Sequence, residues 1–532
     1  MCELVDWCKA VGRDNGYAIV TKRSQYDKRF TDQPVKVWLT CDCAGQYNKT
    51  ATVRRSGSRK TGCEFQLIGR YSKRQRVWTL KADKTQHNHE PFLYPEGHPS
   101  LMKLNPVEER MVEDLTNQNM HPRDILSAIK KHNPENVSTR NTIYNARAKL
   151  GRREHVGETP MQTLFHRLNK IGFVFFHQKS QKDERLTDVF FIHPSSNKLW
   201  CAFPHVLFID STYKTNRYGM PLIQIVGVTS TLHSFCIAHA FITNEKEEKY
   251  VWVLQRLKDC LDSATEPRVI LTDRDLALMN ACGAVFPNAR HSLCRWHILQ
   301  NIIKYCKPSF KTETEWEKFI YKWKMLMNST TDVDYNYWYE RIREGLPSKK
   351  RDGKLHSNSV VNHTYLNYFN KCNYLCFPEI MDYLFSNWLR PYRDRFVSFW
   401  TDQHLNFGQH TTNRAESQHS LLKKYLDAPN NSLEKVVPLI DRVIENQLTE
   451  IKAGIEHSRS RPRDGHDNPL FDHLLRKVSL ACLDLLLKEM KAIETLQAYN
   501  GACDCRLYTS CGLPCACRLL AYMQQGNTTI YQ

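Results

Sequence analysis

Four consecutive apolar residues, Val206-Leu-Phe-Ile, run into Asp210 and then into the small polar pair Ser211-Thr212. A short unbroken apolar run suits a strand buried on both faces, and Ser211 and Thr212 suit a turn, which places Asp210 at the mouth of a buried strand. The pattern recurs at Arg268-Val-Ile-Leu-Thr-Asp-Arg-Asp-Leu, where a strand over 269–272 ends on Asp273 and a helix begins near Asp275. A third acid, Glu416, stands at the start of a helical pattern in Thr412-Asn-Arg-Ala-Glu-Ser-Gln-His. Convergence of Asp210, Asp273 and Glu416 would offer hard oxygen ligands to Mg²⁺ or Mn²⁺. Each acid also has a local reading: Asp210 as a turn residue, Asp273 or Asp275 as a helix cap, and Glu416 as the second half of a capping box with Asn413.

The segments around these acids read as strands over 189–193, 199–203, 206–210, 222–229 and 235–242. A helix over 245–261, a strand over 269–272, a helix over 276–285, a strand near 289–293 and a helix over 295–305 follow. Three strands, helix, strand, helix, strand, helix is the order of an RNase H-like α/β core, in which the acids ending the first and fourth strands are neighbours. Between Tyr305 and Gln403 the chain is rich in Trp, Tyr, Lys and Glu, which predicts an all-helical insertion whose Trp316, Trp323, Trp338, Trp388 and Trp400 pack helices together.

The 532 residues are enough for two to four domains, and an apolar content of 41% supplies real cores. Lys and Arg total 75 against 56 Asp and Glu, a net charge of +19 that attracts polyanions, nucleic acid first among them. No apolar run approaches the roughly 20 residues that span a bilayer, and the opening lacks a signal-peptide layout, so an intracellular protein without membrane partners is expected. In that setting 19 cysteines are not a disulfide framework. Cys236, Cys260, Cys282 and Cys482 fall in apolar segments and read as small buried hydrophobes.

The cysteines at the two ends are arranged differently. Over residues 1–95, strand-like segments alternate with basic turns, punctuated by Cys41, Cys63, His87 and His89, a Cys₂His₂ set able to hold Zn²⁺. Arg54, Arg55, Arg59 and Lys60 lie in one basic run that either contacts phosphate or is simply solvated. Residues 96–158 carry three helical patterns resembling a helix-turn-helix. The third would offer Arg140 and Arg147 to a DNA groove, or else the segment is a spacer with a solvated charged face. Near the other end, Cys503-Asp-Cys505 and Cys515-Ala-Cys517 form two Cys-x-Cys pairs, expected on a short hairpin as a second Zn²⁺ site. Arg459-Ser-Arg-Pro-Arg between them and the core is a basic joint, usable for phosphate contact or nuclear import.

Several of these stretches carry a family resemblance. Phe208-Ile-Asp-Ser-Thr-Tyr-Lys-Thr-Asn, Leu271-Thr-Asp-Arg-Asp-Leu-Ala-Leu, Phe286-Pro-Asn-Ala-Arg-His-Ser-Leu-Cys-Arg-Trp-His and Thr412-Asn-Arg-Ala-Glu-Ser resemble the transposase domain of Mutator-like elements over roughly residues 205–425. Val37-Trp-Leu-Thr-Cys-Asp-Cys, Lys60-Thr-Gly-Cys-Glu-Phe and Gln86-His-Asn-His-Glu resemble the WRKY/GCM-type zinc finger of the far-red-impaired-response family. Cys43 stands where that family commonly has a basic residue, which leaves Cys41 and Cys43 as rival ligands. The C-terminal cysteines resemble a SWIM zinc finger, with Cys517 in the position of the family's histidine. The resemblance implies a DDE triad of Asp210, Asp273 and Glu416, accompanied by the Cys-x-x-His pair of Cys294 and His297. That pair either chelates or orients a group, or is a buried Cys beside a hydrogen-bonded His. It further implies a nuclear protein acting on double-stranded DNA as a homo-oligomer, either as a transposase that cuts and joins DNA or as a domesticated regulator that only binds it. The expected organisation is a zinc finger over 1–95, a helical linker over 96–158, a core over 159–306 and its last helix over 406–455, an insertion over 307–405, and a helical segment with the second zinc finger over 456–532.

Overall fold

The computed structural model describes residues 2–27, 30–46, 58–72, 74–118, 120–154, 157–261, 266–344, 378–426, 431–494, 505–525 and 530. Contacts divide the chain into two compact units, Met1–Gly157 and Glu158–Gln532.

In the first unit an antiparallel sheet runs in the order β1 (Ile19–Asp27), β2 (Phe30–Cys41), β3 (Gln66–Ser72) and β4 (Val77–Lys84). One face buries Ile19, Val37 and Leu39 against Val5 and Cys8 of a helix, Cys2–Asp14, that the sequence reading missed. The helix approaches so closely that a Cβ on Gly69 would fall 2.7 Å from Val37 Cγ1 and 3.0 Å from Leu4 Cδ2, so the strand needs glycine there. Helices Pro106–Asn117, Pro122–His132 and Arg140–Glu154 follow and pack around Val112, Ile125, Ile129 and Ile143. Asn105 and Glu108 form a capping box with proline in the first turn, which is why the first of these helices starts where it does.

The second unit is a mixed α/β fold built on seven strands in the order β11-β10-β7-β8-β9-β6-β5. β10 (Val269–Thr272) pairs in parallel with β7 (Val206–Thr212) and with β11 (Arg290–Leu293). β8 (Leu222–Val228), β9 (Ser234–Phe241), β6 (Leu186–Ile192) and β5 (Val174–Lys179) continue from β7, each antiparallel to the last. Alternation splits the core in two. Leu207, Ile209, Ile223 and Ile225 pack against helices Glu247–Asp259 and Leu276–Val285 on one face. Val206, Phe208, Leu222 and Val226 pack against helices Pro160–Ile171, Asn413–Tyr425 and Leu433–Ser460 on the other.

Four expectations are corrected. Residues 199–203 are not a strand: His193 caps Ser195 N, Pro194 follows it, and the chain forms helix Pro194–Ala202, burying Ser196 and Trp200 one turn apart. Ser211 and Thr212 are not a turn, because β7 stays paired through Ser211↔Ile223 and Thr212↔Leu222, which sets Asp210 inside the strand. The core closes with two helices rather than one, since Leu433–Ser460 buries ten residues of its own after the helix bearing Glu416. The described C-terminal ligands sit at the starts of two short helices, not on a hairpin: Cys505 is the N-cap residue of Arg506–Cys511, Cys515 that of Ala516–Gln524 and Cys517 lies in the latter's first turn, with Gly512 left-handed between the helices.

Within 307–405 every regular element among the described residues is helical, and Trp316, Phe319, Trp323, Trp388 and Phe396 pack onto Ile298 and Ile302 of helix Arg295–Cys306. Trp338 and Trp400 are half-buried against the same core.

Candidate active site and metal centres

Strand parity decides where the first two acids point. Val206 and Phe208 face the helices that follow residue 412, and Asp210 stands two residues further on the same face of β7. β10 runs parallel to β7 with Val269 beside Val206 and Leu271 beside Phe208, and that register leads to Asp273 beside Asp210. Burial and the neighbouring Asp273 push the Asp210 carboxyl up to about 7, and Glu416 adds to the repulsion. Asp273 is raised as well, first by burial and then by Asp275 and Glu245, while His297 opposes the shift. Asp275 is the residue that caps the next helix, its side chain accepting from Leu278 N at 2.9 Å, which leaves Asp273 uncommitted to capping.

Glu416 occupies the first turn of helix Asn413–Tyr425. The capping-box reading does not hold: Thr412 is the N-cap residue, and its hydroxyl donates to Glu416 Oε1 at 3.4 Å. His297 Nε2 lies 3.7 Å from Glu416 Oε1, and the ligand atoms of Cys294, His297 and Glu416 fall within 4.8 Å of one another. Hydrogen bonding to Cys294 raises His297 to about 9 against the cost of burial, with Asp273 and Glu416 assisting. Burial raises the Cys294 thiol, but hydrogen bonds from His297 and Thr412 outweigh it and leave the group below its ordinary value. Cys294 and His297 therefore form a hydrogen-bonded pair in which the imidazole keeps the proton and the sulfur is drawn toward thiolate, beside Glu416 and Asp273.

His419, one helical turn after Glu416, escaped the sequence reading. It is buried, and its Nδ1 lies 3.5 Å from Asp210 Oδ2. Burial lowers it to about 4, so the neutral ring faces the carboxylate. Its only signal in sequence is the three-residue spacing from Glu416.

The N-terminal ligands come from three places: Cys41 at the end of β2, Cys63 just before β3, and His87 and His89 after β4. Their four donor atoms lie within 4.8 Å of one another. Cys41 Sγ is 3.2 Å from His89 Nε2, and Cys63 Sγ is 3.5 Å from His87 Nδ1. Zinc–sulfur and zinc–nitrogen bond lengths require about 3.5 Å along such an edge of a tetrahedron, so the set fits Zn²⁺. The His87 ring is stacked between Tyr17 at 3.7 Å and Phe65 at 4.2 Å, and His89 Nδ1 faces Glu90 O at 3.0 Å, the outer support that fixes a ligating ring. Cys43 is buried beside Cys41 but bonds Asp42 Oδ1 instead of a histidine.

At the other end, Cys505, Cys515 and Cys517 bring their sulfurs within 4.8 Å, with Cys505 Sγ 3.7 Å from Cys517 Sγ, close to the edge of a zinc–thiolate tetrahedron. Cys503 lies outside the described residues. So do Arg54 and Arg55. Arg59 is committed to structure, its Nε 3.4 Å from the buried Asp42 carboxylate and its Nη1 donating to Gly97 O. Lys60 and Arg140 are exposed, and Arg147 is half-buried.

Residues 206–301, which carry the two strand acids and the Cys-x-x-His pair, match the family model of the MULE transposase domain. Relatives extend the likeness on both sides. Protein FAR1-RELATED SEQUENCE 5 of Arabidopsis thaliana is 25% identical over 72% of this chain and 45% of its own length. Protein FAR-RED IMPAIRED RESPONSE 1 of the same plant is 24% identical over 70% and 42%. The chain is a MULE/FAR1-related protein. A third match, to the PKS-NRPS hybrid synthetase cheA of Chaetomium globosum, is 24% identical over 92% of this chain but only 10% of that protein. This MULE/FAR1-related chain thus spans less than half the length of each of these relatives. Among its described residues no helix is long and apolar enough to cross a membrane.

Proposed function

We propose that this transposase-derived chain binds double-stranded DNA and cuts and joins it by metal-assisted phosphoryl transfer. The observation that carries the reading is the parallel register of β7 and β10, which leads to two half-buried carboxylates side by side on the face covered by the helix of Glu416. The order β9-β8-β7-β10-β11, with the last three parallel and the first two antiparallel, supports an RNase H-like core.

Hard carboxylate oxygens that repel one another suit a divalent cation, so Asp210, Asp273 and Glu416 are the residues that would hold Mg²⁺ or Mn²⁺. Such ions lower the pKa of an attacking water or 3′-hydroxyl and offset charge on the leaving oxygen. The chain's own part is positional. His419 steadies Asp210, and Thr412 donates to Glu416. His297, protonated at neutral pH, supplies positive charge beside Glu416 and Asp273. The two thiol clusters would hold Zn²⁺ and support DNA-binding modules, and action in the nucleus as a homo-oligomer follows from the same reading.

A second reading, a regulator that binds DNA without cutting, draws support from likeness to FAR1 proteins over 70–72% of this chain. Cleavage of end-labelled terminal-repeat DNA in Mg²⁺ or Mn²⁺ separates the two. Cleavage by the wild type and none by a folded Asp210→Ala variant is expected. Specific binding with no cleavage by the wild type would overturn the nuclease in favour of the regulator.

A further inference from the structure

The helix Cys2–Asp14 covers only one face of the N-terminal sheet. On the other face the strand registers assemble two cross-strand rows. Arg23, Trp38, Ile68 and Lys81 form one, and Gln25, Lys36, Arg70 and Thr79 the other. Four cations therefore share a face whose two rows hold no acid. Arg23, Arg70 and Lys81 are exposed and Lys36 is half-buried. Among the described residues none of the four forms an ion pair. The acids of the sheet lie off these rows: Asp27 closes β1 and Asp32 stands near the start of β2, while at the zinc end Asp83 accepts from Gln66 and Glu64 pairs with Lys84.

Trp38 organises the face. Its buried ring lies under the Arg23 guanidinium at 3.8 Å and the Lys36 ammonium at 4.3 Å, so the two charged heads are held over an apolar platform instead of sampling many rotamers. From Arg23 to Lys81 the first row crosses three inter-strand gaps, about 14 Å in all. That breadth is comparable to the roughly 12 Å width of the DNA major groove, so cations at the two margins reach phosphates on opposite strands.

We infer that this open face, Arg23, Lys36, Arg70 and Lys81 around Trp38, is the surface by which the N-terminal unit holds the phosphate backbone of duplex DNA. The inference rests on the reading that the chain binds DNA, and it moves the contact away from the basic run of 54–60, where Arg59 is occupied by Asp42 and Gly97. Each phosphate neutralised contributes about 0.9 to the slope of log K against log salt concentration, which makes the number of contacts measurable.

The test uses the full-length, zinc-loaded chain and a random-sequence duplex between about 50 and 200 mM salt. Arg70→Gln/Lys81→Gln should reduce the magnitude of the salt slope by about 2 and weaken binding at least tenfold at the lower salt, with zinc content and melting temperature unchanged. Arg70→Lys/Lys81→Arg, which keeps the charge, should restore the slope. If the wild type binds duplex and the Gln variant keeps its slope and affinity, the sheet-face assignment falls while the DNA-binding reading stands. Absence of any duplex binding by the wild type would overturn both. Tighter, equally variant-sensitive binding to single-stranded RNA or an acidic protein would replace the partner.

Discussion

Arg506 Nε lies 2.6 Å from the buried carboxylate of Asp402, and the two residues join the C-terminal thiols to the segment that delivers Glu416. Arg506 directly follows Cys505. Asp402 also accepts from Asn406 Nδ2 at 2.8 Å and lies 3.4 Å from His410 Nε2. Phe407 N donates to Ser510 O at 2.8 Å, Arg295 N to His410 O at 3.0 Å, and Thr412 N to Cys294 Sγ at 3.2 Å. A continuous set of bonds thus runs from the C-terminal helices to the N-cap of the Glu416 helix.

Arg506→Ala should loosen this path without unfolding the core. The Arg506 side chain is 46% exposed, so solvent screens the pair and the loss should be about 1 kcal/mol. Hydrogen exchange is expected to accelerate over residues 402–416 and to stay unchanged in β7 and β10. Exchange over 402–416 as slow in the variant as in the wild type would show that Asp402 needs no partner from the C-terminal helices.

His419→Ala should leave the sheet intact and weaken divalent-metal binding at the acidic cluster by roughly 10–100-fold, the usual cost of removing a group that orients a metal ligand. Mn²⁺ titration of the zinc-loaded protein reads this directly. An unchanged Mn²⁺ affinity would make His419 a packing residue.

Above about pH 6.5 the metal-free second unit should lose stability as pH rises, and the sign follows from two raised values; below that, buried His239, His291, His410 and His419, held at about 3 to 4, act in the opposite direction. Asp210 at about 7 binds a proton in the folded state that the unfolded chain has released above its ordinary value near 4. His297 at about 9 likewise holds a proton that the unfolded chain has lost above about 6.5. Both contributions are present at low pH and are lost on the way up, Asp210's between about 4 and 7 and His297's between about 6.5 and 9. Calorimetric melting of the second unit in chelator between about pH 6.5 and 9 should show a falling melting temperature. Added Mg²⁺ should raise it more at pH 8 than at pH 5, because carboxylates must be ionised to bind.

Removing zinc should act on the first unit selectively. Among the described residues the cluster between its sheet and the first helix has a small buried centre, Val5, Cys8, Ile19, Val37 and Leu39, too little to stand without the metal. Cys63→Ser is expected to abolish exchange protection over residues 19–84 while β7–β10 keep theirs. Retained protection in the sheet would show that its apolar face suffices.

Much of the second unit was legible because its signals are local. The strand over 269–272 and the helix over 276–285 match β10 and the helix beginning at Leu276 residue for residue, since an apolar run and a capping Asp275 mark them within a few positions. The misreadings arose where two local signals compete. Leu199-Trp-Cys-Ala-Phe is apolar enough for a strand, yet the cap at His193 and the proline after it start a helix first. Ser211 and Thr212 are turn-formers that pairing with β8 keeps extended. The helix Cys2–Asp14 carries Leu4, Val5, Cys8 and Val11 at helical spacing, a short amphipathic signal that went unread beside the strand patterns following it.

By itself the sequence determined the acids, the thiol and imidazole ligands and the apolar strand segments that precede the two aspartates, because residue type and short-range periodicity are properties of a few neighbouring positions. Only the tertiary structure decided which of them meet. Parallel pairing of β7 with β10 sets Asp210 and Asp273 on one face, and the packing of a distant helix brings His419 to Asp210 and Glu416 to His297. Sheet register likewise gathers Arg23, Lys36, Arg70 and Lys81 on one surface. Such encounters depend on register and on which faces are buried together, quantities set by the whole core and written in no local stretch of the chain.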